Sequence, residues 1–100
     1  MSHLPILTIA AEVFETTPEN IRGRSLRPPD VDARSAVAWI LRQQGTEFRV
    51  IAEILGLAIS SAHQTEIRAA CKLRAERKGP FIRKMATAAK RWLELQPSSV

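Results

Sequence analysis

The sequence predicts an all-α fold, a small helical bundle containing a helix-turn-helix, on three observations. Alanine, leucine, isoleucine, arginine and glutamate are common, whereas only two Trp and three Phe occur and there is no tyrosine. That balance favours helix over sheet. Apolar residues recur at three- and four-residue spacing in successive segments, and all four glycines fall where such a pattern breaks, as expected of residues that tolerate positive φ at helix ends. With 100 residues and 45% hydrophobic content the chain can bury one modest core, so a single domain is expected over residues 1–95.

The first segment, "LPILTIAAEVF" (4–14), places Ile6, Ile9, Ala10, Val13 and Phe14 on one stripe, with Pro5 suited to a first turn. "TTPENIRG" follows as a helix of one or two turns, with Thr17 as N-cap, Pro18 at the first helical position and Gly23 at the end. "RSLRPP" is a loop, because its two prolines prevent the preceding residues from continuing a helix. Asp30 is expected to cap "VDARSAVAWILRQQ", a central helix with Ala33, Ala36, Val37, Ile40 and Leu41 inward and Gly45 closing it. Thr46 is expected to cap "EFRVIAEIL", with Phe48, Ile51, Ala52 and Leu55 inward, and Gly56 makes the turn. Ser60 and Ser61 then cap a helix running to about Lys78, which puts the helix-turn-helix at residues 46–78. The last helix spans about Pro80 to Leu95, with Phe81, Met85, Ala88, Ala89 and Trp92 inward. Residues 96–100, "QPSSV", have the composition of a disordered tail.

The charge is unevenly placed. From Ile67 onward nine basic residues face two acidic ones, a net of +7, so the rest of a chain whose total is +5 carries −2. A smaller basic group stands at Arg22, Arg24 and Arg27. This asymmetry, with a pI near 10.4, points to a polyanionic partner. The lone Cys71 cannot form an internal disulfide, no Cys/His cluster has metal-ligand spacing, and no apolar run approaches the roughly 20 residues that span a bilayer. A cytoplasmic chain without cofactor, metal or membrane is expected. The pattern G-x-x-x-x-G-K-[ST] is absent and the two histidines stand apart from any nucleophile, so no enzyme activity is expected.

Ala52 and Gly56 give the small residue and the turn glycine, four apart, that two closely packed helices need. On the following helix Ser61, Gln64, Thr65, Arg68 and Lys72 fall within one sector of about 100°, opposite Ala62, Ile67, Ala69, Ala70 and Leu73. That face is neutral-polar first and basic later, the order in which a recognition helix meets base edges and then phosphates. Gln64 has the amide to pair with adenine, and Ser61 or Thr65 can reach bases or a thymine methyl. His63 and Cys71 are expected to pack rather than to react, and Trp39 and Trp92 to fill core or crevice positions.

Over about Leu7 to Ala70, and above all in "AAEVFETTPENIRGRSLRPPDVDARSAVAWILRQQGTEFRVIAEILG", the chain resembles the C-terminal DNA-binding domain of the bacterial replication initiator DnaA. The resemblance implies a Trp-repressor-like helix-turn-helix fold, double-stranded DNA as partner, and a bacterial, nucleoid-associated location. It also implies that a basic loop, Arg24, Ser25 and Arg27, approaches the minor groove and phosphates, and that Arg34 holds the DNA backbone or the fold. The family's Arg-Asp-His signature after the turn is replaced by Ala58, Ile59 and Ser60, with Ser61 kept. Two functions follow as expectations. One is a small regulator of transcription or replication initiation that reads duplex DNA through Ser60, Ser61, Gln64, Thr65, Arg68 and Lys72; the other is a protein-interaction adaptor that keeps the fold without reading DNA. The sequence shows no clear dimer seam.

Overall fold

In a computed structural model of the chain, residues 4–23, 25–75 and 79–95 are described. They form six helices: α1 (Leu4–Phe14), α2 (Pro18–Arg22), α3 (Pro28–Gln43), α4 (Phe48–Leu55), α5 (Ile59–Ala75) and α6 (Pro80–Leu95). No strand occurs among the described residues, and none of their helices is long and apolar enough to cross a membrane. The bounds of α1, α2 and α6 are those the sequence predicts. Residues 76–78 and the tail at 96–100 lie outside the described residues, as does Arg24.

Helix α3 is the centre. Six consecutive residues, Ala33, Arg34, Ser35, Ala36, Val37 and Ala38, are buried, so neighbours cover it on most sides. Its alanines let those neighbours approach closely; α5 packs on it, and Ala62 and Ala69 of α5 have no exposed surface. Phe14 of α1 meets Phe81 of α6 with ring centroids 6.0 Å apart, and one buried apolar cluster joins residues from all six helices. Trp92 is buried, and its indole Nε1 donates 2.7 Å to Gln44 Oε1, which ties α6 to the end of α3.

Three helices end in the same way. At the close of α3, the Thr46 N–H donates to the Leu41 carbonyl and the Gly45 N–H to Arg42, around a left-handed Gly45. Helix α4 repeats this with Leu57 to Ala52 and Gly56 to Glu53. In α1 the Thr16 N–H reaches Ala11 across Glu15, the one non-glycine residue with positive φ among those described, at 59°. These are Schellman ends, which satisfy terminal carbonyls through a left-handed residue.

They correct several expected caps. The Thr46 amide already closes α3, so the N-cap of α4 is Glu47, and it makes no side-chain cap bond. Helix α5 begins at Ile59, with the Ala58 carbonyl accepting its first helical bond, so Ser60 and Ser61 lie inside the first turn rather than capping it. Asp30 is likewise inside α3, whose N-cap is Arg27. Its buried carboxylate instead accepts from the hydroxyls of Ser25 and Thr16. Thr17 does cap α2, accepting from the Asn20 N–H at 3.2 Å. Gly23 has a negative φ of −84°, unlike Gly45 and Gly56.

Two arginines join the frame by bonding carbonyls at helix ends. Arg34, 8% exposed, donates to the carbonyls of Ile21 (2.8 Å), Asn20 (3.1 Å) and Gly23 (2.8 Å), at the end of α2. Arg22 at that same end donates to Ile54 (2.8 Å) and Glu53 (3.3 Å), at the end of α4. A guanidinium suits both places because it offers several fixed donors to a cluster of acceptors at the negative end of a helix dipole. Gly56 lies directly beside this junction: a Cβ there would sit 3.0 Å from the Arg22 carbonyl oxygen, on a backbone already at φ +67°.

Replacing Arg34 with methionine keeps the apolar stem but strands three carbonyls, and it is expected to cost about 2–4 kcal/mol of stability. An unchanged urea midpoint would contradict this. Glu15→Gly relieves a left-handed side chain at an exposed position and is expected to stabilise by up to about 1 kcal/mol, read from the same titration.

Candidate nucleic-acid interface

Helices α4 and α5 are joined by Gly56, Leu57 and Ala58, and the turn is fixed by the α4 end and by Arg22. This sets which side of α5 is free. The packed side centres on Ala62 and Ala69, with Leu73 half-buried, while His63, Gln64, Ile67, Arg68, Cys71 and Arg74 are exposed. At about 100° per residue these exposed positions form one continuous side. Ile67, expected to pack, is 54% exposed, and Cys71, expected to be a small buried hydrophobe, is exposed as well. At about 100° per residue Ile67 stands roughly 140–160° from Ala62 and Ala69, so it falls on the free side. His63, expected to be partly buried, is exposed with its ring stacked on Phe48 at 3.6 Å between centroids; Arg42 lies 4.5 Å over the other ring of that pair.

The structure gives the expected site residues different employments. Ser60, Ser61, Gln64 and Arg68 are exposed, and the side chains of Gln64 and Arg68 make no hydrogen bond or ion pair among the described residues. Thr65 is half-buried and donates its hydroxyl 2.8 Å to the Ser61 carbonyl, which leaves its methyl and lone pairs. Lys72 is one-third exposed, and its Nζ lies 3.0 Å from Asp32 Oδ1 of α3 and 5.0 Å over the Phe81 ring. Ser25 is occupied with Asp30 and accepts the Arg27 N–H at 3.3 Å. Arg27 is exposed. Arg34 is engaged in the fold, as the preceding carbonyl bonds show. Arg24 lies outside the described residues.

Two of these groups have pKa values shifted by their surroundings. The Ser25 hydroxyl, then that of Thr16, hold the Asp30 carboxyl below its ordinary pKa of 3.8; burial opposes them, and Arg27 and Arg34 add to the lowering. Burial pushes the pKa of the Arg34 guanidinium down, Asp30 opposes this, and repulsion from Arg68 adds to it. Asp30 thus feels both Arg27 and Arg34, and Arg34 feels Arg68. Arg74, Ile67 and Cys71 join the free side of α5 without having been expected there. The signal that marks them is the alanine pair Ala62 and Ala69, which fixes the packed side and so the free one.

On the last helix, Arg91 pairs with Glu12 of α1 and the Lys84 ammonium lies 5.8 Å over Phe14, while Arg83 and Lys90 are exposed. No family model matches the chain, and no curated protein matches it.

Asp30 gives a pH dependence with a definite sign. Its folded pKa is depressed, so its contribution is complete above pH 3.8 and disappears as pH falls through the folded value. Urea midpoints taken from pH 6 to about pH 3 should fall more steeply for the unaltered chain than for Asp30→Asn. Parallel curves would show that the carboxylate is not favoured in the folded state.

Proposed function

We propose that this chain is a stand-alone double-stranded DNA-binding module, a small regulator of transcription or replication initiation in which α4 and α5 act as a helix-turn-helix. Exposed Gln64 and Arg68 enter the major groove, and Arg27 of the adjoining loop meets the phosphate backbone beside it. The observation that carries this reading is the free side of α5, where exposed Gln64 and Arg68 have no hydrogen bond or ion pair from their side chains among the described residues. Buried Arg34 adds positive potential from beneath while holding the fold. The likeness to the DnaA C-terminal domain supports the same choice, and with it a location at the bacterial nucleoid.

The altered tip bears on what is read. The exposed Ala58, Ile59 and Ser60 carry no charged group. Base discrimination rests on Gln64 and the hydroxyls of Ser60 and Ser61, and affinity rests on phosphate contacts. The adaptor reading has its own observation, since Ile59 is 49% exposed and Ile67 is 54% exposed on the same helix. Exposed apolar side chains suit a protein partner.

Fluorescence anisotropy with a random duplex and with one bearing an initiator box, each at several salt concentrations, separates the readings. Phosphate contacts release counterions, so DNA binding should weaken steeply with salt, whereas apolar protein contacts do not follow that law. Arg68→Ala should weaken binding to both duplexes and reduce the salt slope by about 1. Gln64→Ala should cost roughly 1–3 kcal/mol on the preferred sequence and little on the random one. No binding at low salt would favour the adaptor.

A further inference from the structure

The DNA-binding face contains one acidic group whose position is specific. Asp32 lies in the second turn of α3 and reaches across to α5, where its Oδ1 is 3.0 Å from the Lys72 ammonium. Lys72 is one helical turn beyond Arg68, so it would follow Arg68 along a phosphate strand. Instead it is drawn towards the junction of α3, α5 and α6, with Asp32 on one side and the buried Phe81 ring beneath it at 5.0 Å. Both side chains of the pair are about one-third exposed, so the ammonium is neither sealed from solvent nor free in it. Arg68, by contrast, is exposed without an ion pair among the described residues.

Resting on the DNA-binding reading above, we propose that Asp32 holds Lys72 out of phosphate contact and so sets a ceiling on the affinity of the α5 face. The carboxylate oxygen occupies the place beside Nζ that a phosphate oxygen would take, and its own charge repels an approaching strand. Asp32 is a positioning residue: it touches no DNA and acts through Lys72. Its effect is independent of sequence, because the contact it withholds is to the backbone.

The test compares the unaltered chain, Asp32→Asn, Glu12→Gln and the double variant Asp32→Asn/Lys72→Ala on a random duplex. Glu12→Gln makes the same change in net charge and frees Arg91 of α6 in place of Lys72. Far-UV circular dichroism checks that all four fold, as expected when an ion pair of this exposure contributes little to stability. Asp32→Asn should bind tighter and steepen the slope of log K against log salt by about 0.9, so that its advantage shrinks roughly threefold between about 50 and 200 mM salt. Glu12→Gln should leave the slope unchanged, and the double variant should return to that of the unaltered chain. The inference is overturned if Asp32→Asn shows no gain, if Glu12→Gln gains as much, or if the gain survives the loss of Lys72. In each of those cases the unaltered chain still binds DNA. If it binds no duplex at low salt, the DNA-binding reading fails and this inference fails with it.

Discussion

The architecture depends on a buried guanidinium. Arg34 leaves the central helix and donates to three carbonyls around the end of α2, a helix of only five residues that could not hold its direction by its own hydrogen bonds. Once α2 is held, Arg22 projects from its last turn onto the carbonyls that end α4, and Gly56 passes against the Arg22 backbone where no side chain would fit. Each step fixes the next. The orientation of α5, and with it the composition of the free surface, follows from this relay from α3 to α2 to α4. The alanine contacts between α3 and α5 then set the rotation of α5 about its own axis.

The same relay sorts the positive charges into those spent on the fold and those left for a partner. Arg22 and Arg34 satisfy backbone carbonyls, Lys72 and Arg91 are paired with carboxylates, and Arg27, Arg68 and Arg74 remain without a hydrogen bond or ion pair from their side chains among the described residues. A net charge of +5 therefore overstates what some regions can offer and understates the concentration at one place. Near the start of α3, buried Arg34 and exposed Arg27 both act on the Asp30 carboxylate. Asp30 and Asp32 differ in setting, one fully buried in the first turn of α3 with Ser25 of the loop donating to it, the other facing α5.

Much of the fold is legible in the chain because helix ends are written in residues with strong local preferences. Pro18 with Thr17, and the pair Gly79 and Pro80, place the starts of α2 and α6 correctly, and the glycines at 45 and 56 mark true left-handed ends. The misassigned caps at Asp30, Thr46, Ser60 and Ser61 share a cause: a polar residue near a helix start has several possible partners, and tertiary geometry chooses among them. Thr46 is claimed by the α3 end and Asp30 by two hydroxyls. The role of Arg34 was legible only as one of two alternatives, since its partners are backbone carbonyls and carry no residue signature. For α5 the apolar pattern drew Ile67 into the packed side, but the buried Ala62 and Ala69 put the centre of that side roughly 140–160° away from it.

On the proposed function, the exposed side of α5 and loop 25–27 contact duplex DNA. An amide chemical-shift titration of the isotopically labelled chain with a short random duplex at low salt tests this over the whole surface at once. The expected shifts cluster on Ser61, Gln64, Arg68, Cys71 and Arg27, with the outward positions of α1 and α6 unmoved. Shifts confined to Arg83 and Lys90 of α6, or none at all, would contradict it.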